Sequence, residues 1–155
     1  MCYQKTKIMQ QRINVLKADG NAYQAIMALE NYIDTTQISK THRELIKIRA
    51  SQINKCAYCL DMHTHDARAA GETEQRIYTL NAWRETTFFT EEERAILALT
   101  EEMTLITGGV TNETYENAVR VLGEKYYSSV LMAIVAINAW NRIGVTSELK
   151  PALRK

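Results

Sequence analysis

The chain has 155 residues, 46% of them hydrophobic and 24% charged, with a net charge of +1. That length suits one domain able to bury its own core, and that balance excludes a disordered chain. The basic residues are scattered apart from a short tail at 150–155, so there is no clustered positive field for a nucleic acid.

The opening stretch, MCYQKTKIMQQR, lacks the continuous apolar segment of a secretory signal. The longest apolar run, VLMAIVAI at 130–137, falls well short of the roughly 20 residues that span a bilayer. Both features predict a cytoplasmic protein. No β-branched run alternates with polar residues between turn residues, so strands are not expected. Apolar periodicity predicts helices at 22–34, 40–53, 56–70, 74–83, 91–105, 113–122 and 126–144, with boundaries good to a few residues. The expected fold is all-α: one compact multi-helix domain over 1–155, with its core at 20–147.

Several helix ends have a physical cause. For the helix at 40–53 two arrangements compete. Thr41 with Glu44 would form a capping box and commit Glu44 to a backbone amide, whereas Ser39 as cap would leave Glu44 free. Asn54 is a good N-cap for the next helix. Gly71 stands where a left-handed residue is wanted after it. Thr90 with Glu93 reads as a capping box, and Thr111 caps the following helix. The last helix is apolar on nearly all sides, which predicts burial, in so short a chain against another subunit. Trp83 and Trp140 are expected in core or interface rather than in a substrate pocket. Asn141 and Arg142 are expected to brace an interface.

Residues 54–68, NKCAYCLDMHTHDAR, hold two of the three cysteines and two of the three histidines. At about 100° per residue, Cys56, Cys59 and His63 share an arc of about 60° on one helix face. His65 falls on the opposite side. An ordinary thiol is only about 3% ionised at neutral pH, and one whose pKa fell to about 6.5 would gain roughly 25-fold in thiolate. The start of a helix favours thiolate through its partial positive charge, and a histidine one turn away can accept the proton. Two cysteines at this spacing can close a short disulfide. Helix polarity favours Cys56 as the reactive thiol, and proximity to His63 favours Cys59. Two other readings compete. Structural zinc wants four ligands, and beyond the cysteines only His63, His42, Cys2 and carboxylates are on offer. Alternatively, the cysteines pack as small core residues in a helical assembly or redox-sensing protein.

Glu44, Ser51, Asn54, Cys56, Tyr58, Cys59 and His63 together resemble the core motif of the AhpD-like alkylhydroperoxidases, grouped with the carboxymuconolactone decarboxylases. The likeness covers about residues 20–147 and is most specific at 44–76. It implies an all-α fold assembling into trimers or hexamers, and a peroxidase cycle at the CxxC pair. In that cycle Cys59 attacks the peroxide and Cys56 resolves the sulfenic acid to a disulfide. His63 and Glu44 match the proton-relay positions. Tyr58 stands where the best-studied members carry a histidine, which removes one relay group. The CxxC pair argues against decarboxylase activity, since the decarboxylases proper generally lack it. The resemblance implies a peroxide substrate and a dithiol donor, of lipoyl type, with no metal or flavin required.

Overall fold

The computed structural model describes residues 12–154; Cys2 lies outside them. Eight α-helices and two short 3-10 segments form the described fold, and no strand occurs among the described residues. They are α1 (Val15–Ala18), α2 (Gly20–Asp34), α3 (Lys40–Asn54), α4 (Ala57–Ala69), α5 (Glu74–Thr79), α6 (Glu91–Thr104), α7 (Asn112–Leu122) and α8 (Glu124–Thr146). The all-α expectation holds, and most boundaries fall within two residues of those read from periodicity.

The caps explain where the helices begin. Asp19 accepts the amides of Asn21 and Ala22 at the start of α2. Thr90 and Glu93 satisfy each other's amides at the start of α6, as expected. Thr111 caps α7. Ser39 caps α3 by accepting the His42 amide at 3.1 Å, which decides the competition at that end and frees Glu44. One expected helix is split: residues 80–85 turn as a 3-10 segment, and Ala82 leaves helical geometry at φ −122°.

The core has two parts, and α3 serves both. One face of α3 places Ile46 and Ala50 against Ile33 of α2, Ile96 and Leu99 of α6, Ala118 of α7, and Val130, Ala133, Ile134 and Ile137 of α8. Another places Leu45 and Ile48 with Ala67, Ile77, Leu80, Trp83 and Leu97. Apolar burial on both faces makes α3 the central helix, although its sequence carries many charges. Its buried charges are paired. The Lys47 ammonium reaches Glu30 at 3.2 Å, which a buried charge requires.

By length and composition α8 could cross a membrane. It lies instead among α2, α3, α6 and α7, as the core helix of a domain would. The chain's own helices bury Val130, Ala133, Ile134 and Ile137 of α8, while Val135 and Val145 remain exposed. Both tryptophans belong to the packing. Trp83 is buried and donates to Glu101, and Trp140 donates to Glu30.

A second link ties the starts of α3 and α8 together. The Tyr126 hydroxyl accepts the Ser39 amide at 3.0 Å and lies 2.7 Å from His42 Nδ1. A hydrogen bond between the phenol and the ring nitrogen joins the two helix starts. Burial lowers the His42 pKa below its ordinary 6.5, partly countered by Glu93 and Glu92. A lowered folded-state pKa means that the unfolded chain takes the proton first, so stability is full above about pH 6.5 and falls as pH drops toward the folded value. Urea unfolding at about pH 7.5 and about pH 5.5 should therefore show the wild type losing more stability than His42→Gln across that interval. Equal losses would remove His42 as the source.

Candidate redox site

The site is built around the junction of α3 and α4, where only two residues, Lys55 and Cys56, separate the helices. Lys55 adopts the left-handed conformation, φ 56°. Its amide returns to the Gln52 carbonyl, and the Cys56 amide returns to the Ser51 carbonyl at 3.1 Å. This is the pattern of a Schellman closure, with a lysine where glycine is usual. Asn54 is therefore the last residue of α3 and not the cap of α4. The cap is Cys56, in extended geometry at φ −87°, ψ 94°. The reading that put Cys56 inside the helix is corrected by one residue.

That correction changes how the cysteines meet. Cys56 reaches Cys59 through its cap geometry rather than by helical rotation. Its Sγ accepts the Cys59 amide at 3.4 Å, and the two sulfurs are joined in a disulfide, Cα to Cα 5.3 Å. Both cysteines are buried, at 2% and 4% exposure. With both sulfurs in a disulfide, neither is a thiolate available to hold zinc.

His63 lies one turn beyond Cys59 on α4 and is also buried. Its Nδ1 is 3.0 Å from Glu44 Oε2 of α3. A carboxylate only accepts, so Nδ1 is the donor in this pair, and in the neutral ring the lone pair then sits on Nε2. His65 faces out, as expected, and contacts only Asp66, at 3.5 Å. The structure brings a carboxylate oxygen of Asp66, one of Glu44 and a ring nitrogen of His63 within 4.8 Å of one another. Among the described residues these three form the one group that could hold a metal ion. Beside Glu44 lies a cleft of about 10 Å³, lined also by Thr41, Leu45, Ala67, Ala70 and Glu72, room for roughly one water.

The wall opposite the disulfide belongs to α8. Asn54 Nδ2 donates to Asn138 Oδ1 and Asn141 Oδ1, each at 2.9 Å. Asn141 in turn donates to Ser51 Oγ at 2.9 Å. Asn141 thus braces α3 against α8 within the chain, in place of the expected subunit contact. Gly144, read from the sequence as the end of a helix, lies inside α8 directly against the sulfurs. Nothing short-range in the sequence marks it.

A model of the carboxymuconolactone decarboxylase family matches residues 20–102. The chain belongs to the carboxymuconolactone decarboxylase family. It is 45% identical over 138 residues to YdfG of Bacillus subtilis (strain 168), an uncharacterised protein, covering 88% of this chain and 94% of that one. Its fold is similar to the crystal structure of an Agrobacterium tumefaciens protein of unknown function, described as a candidate antioxidant defence protein AhpD. The TM-score is 0.90 with 38% identity, covering 94% of this chain and 100% of that one. A peroxidase-related protein from Silicibacter sp. TM1040 superposes with a TM-score of 0.75 at 26% identity, over 90% of this chain and 76% of that one. AhpD-like structures are thus the neighbours of this family member, and its CxxC pair is present as a disulfide.

The amide network gives a test of this architecture. Asn141 is 1% exposed and serves both Asn54 and Ser51. Its truncation leaves buried polar partners unpaired, so Asn141→Ala should lower stability by about 1–3 kcal/mol. Urea unfolding of the oxidised protein measures this, and a loss below about 0.5 kcal/mol, the size of an ordinary surface change, would show the network to be dispensable.

Proposed function

We propose that this protein is a thiol-dependent hydroperoxide reductase. The observation that carries the reading is the Cys56–Cys59 disulfide followed, one turn on, by a buried histidine oriented by a carboxylate. These are the parts that a peroxide-reducing thiol needs: a nucleophile, a resolving thiol and a base. The family membership and the AhpD-like neighbours support the same reading.

In the proposed cycle Nε2 of His63 takes the proton of the Cys59 thiol, and Glu44 holds the ring in the tautomer that allows it. The Cys59 sulfur attacks an oxygen of the peroxide. The O–O bond breaks, a C59 sulfenic acid forms, and the departing alkoxide or hydroxide takes the proton back from His63 and leaves as alcohol or water. The Cys56 sulfur then attacks the Cys59 sulfur, its proton leaves with the hydroxyl as water, and the disulfide forms. A dithiol donor, for which the family suggests a lipoyl type, restores the pair through a mixed disulfide. It supplies two electrons and two protons and closes to its own disulfide. Every proton and electron is accounted for by thiols, peroxide and donor, so the cycle calls on no metal or flavin. A cytoplasmic, homo-oligomeric protein is the setting this reading proposes.

Tyr58 sits between the cysteines and is partly exposed, so His63 is the only imidazole this cycle uses. His63→Ala should therefore lower the peroxide-reduction rate by about 10²–10⁴-fold, the range for loss of a positioned base.

Peroxide should consume two thiols per chain in the reduced protein, and neither Cys59→Ser nor Cys56→Ser should complete that loss. A sulfenic-acid probe should label Cys56→Ser and leave Cys59→Ser unlabelled. The opposite labelling would exchange the roles of the cysteines. Thiol content indifferent to peroxide would leave a non-catalytic helical protein with a vestigial pair.

A further inference from the structure

Five of the six glycines have nothing within 4 Å of where a side chain would begin. Three of those, Gly71, Gly109 and Gly123, are explained by positive φ. Gly144 differs from all of them. It is buried within α8, and no positive φ demands it. A Cβ there would stand 3.0 Å from Cys56 Sγ and 3.5 Å from Cys59 Sγ. Inside a helix glycine is the least favourable residue after proline, so its presence needs a cause, and the sulfurs supply one.

We propose that Gly144 is a positioning residue of the redox pair, whose missing side chain is the room into which the sulfurs separate when the disulfide is reduced. This rests on the reading that Cys56 and Cys59 cycle between disulfide and dithiol. Reduction replaces one S–S bond by two S–H bonds, with the two electrons and two protons supplied by a dithiol that closes to its own disulfide. The sulfurs then pass from covalent distance to the longer distance of non-bonded contact.

The surroundings restrict where they can go. The Cys56 amide is held on the Ser51 carbonyl, and Cys59 is inside the first turn of α4. On the α8 side the sulfurs approach the Gly144 backbone, itself fixed where its carbonyl accepts the Leu149 amide at 3.0 Å. A methyl at 144 would meet the compact disulfide at the edge of tolerated contact and the wider dithiol more severely. Alanine there therefore favours the oxidised form.

The test equilibrates wild type and Gly144→Ala in dithiothreitol redox buffers and counts thiols by alkylation and mass. At a given buffer the dithiol-to-disulfide ratio should fall about tenfold in Gly144→Ala, equivalent to a potential about 30 mV more reducing. Gly108→Ala, which meets nothing, should leave the ratio unchanged. A general gain in helix stability from alanine acts on both redox states and cancels in the ratio. An unchanged ratio, or a shift toward dithiol, overturns the proposal.

Should Gly144→Ala fold poorly, the same change in a Cys56→Ala background decides the matter. With the nearer sulfur gone, the change should raise the melting temperature there and lower it in the reduced parent. Equal effects in the two backgrounds overturn the proposal. A wild-type pair that resists dithiothreitol altogether overturns the cycling reading and this inference with it. A wild type that cycles while Gly144→Ala matches it overturns this inference alone.

Discussion

Two helices joined through two residues, Lys55 and Cys56, have little freedom in how they meet, and that constraint governs the site. Lys55 supplies the single left-handed residue between α3 and α4. The chain reverses there, so the start of α3 lies beside the second half of α4. Glu44 and His63, 19 residues apart, come within 3.0 Å by this route. The same reversal leaves Cys56 outside the helix, as its cap, with its sulfur over the first turn. Without it the carboxylate, the imidazole and the two sulfurs would share a helix pair but not a site.

What holds the junction is chemically quiet. Asn54, Asn138, Asn141 and Ser51 form neutral hydrogen bonds between α3 and α8. None changes charge between acid and neutral pH, or would do so with the redox state of the sulfurs, so in the proposed cycle α8 stays in place beside the pair. The other end of the α4–α5 region is pinned differently. Arg76 pairs with Glu72 at 2.9 Å and with Glu93 at 2.6 Å. Burial raises the Glu93 pKa, but its hydrogen bonds from Arg76 and Thr90 more than offset this and hold the carboxyl below its ordinary range. Ion pairs stabilise the frame, and uncharged amides border the redox centre.

The sequence disclosed much of this, and the omissions have physical reasons. Periodicity located the helices because their apolar stripes are long. Thr90 and Thr111 were legible as caps because capping is settled within four residues, whereas at α3 two local patterns competed and the structure chose Ser39. Cys59 and His63 were legible as neighbours because helical spacing aligns them, whereas Cys56 joins them through cap geometry that the spacing did not describe. Asn54 misled because asparagine is a good cap wherever a helix begins, and nothing local says that another helix still holds it. The left-handed turn at Lys55 lacked its usual glycine. The 3-10 segment at 80–85 had neither glycine nor proline to announce it. Gly144 was hidden for a different reason: its role depends on sulfurs more than 80 residues away in sequence, and only packing brings them together. The central place of α3 was obscured by charges whose partner, Glu30, sits on another helix.

In the proposed cycle the two cysteines divide the work according to their backbones. Cys59 lies within the first turn of α4, four residues before the buried His63, so in this proposal the helix itself sets the nucleophile against the base. Cys56 is a cap residue beside a strained left-handed lysine, and helix ends open at lower cost than helix interiors. A resolving thiol must move toward a sulfenic acid and later away from it, and a donor must reach a sulfur that is buried at rest. Both demands fall on the end of α4 rather than on its body. Helix polarity alone would name Cys56 as the reactive thiol. In this arrangement the partial charge of the helix start acts on a group whose task is to move, while the imidazole acts on the one whose task is to stay.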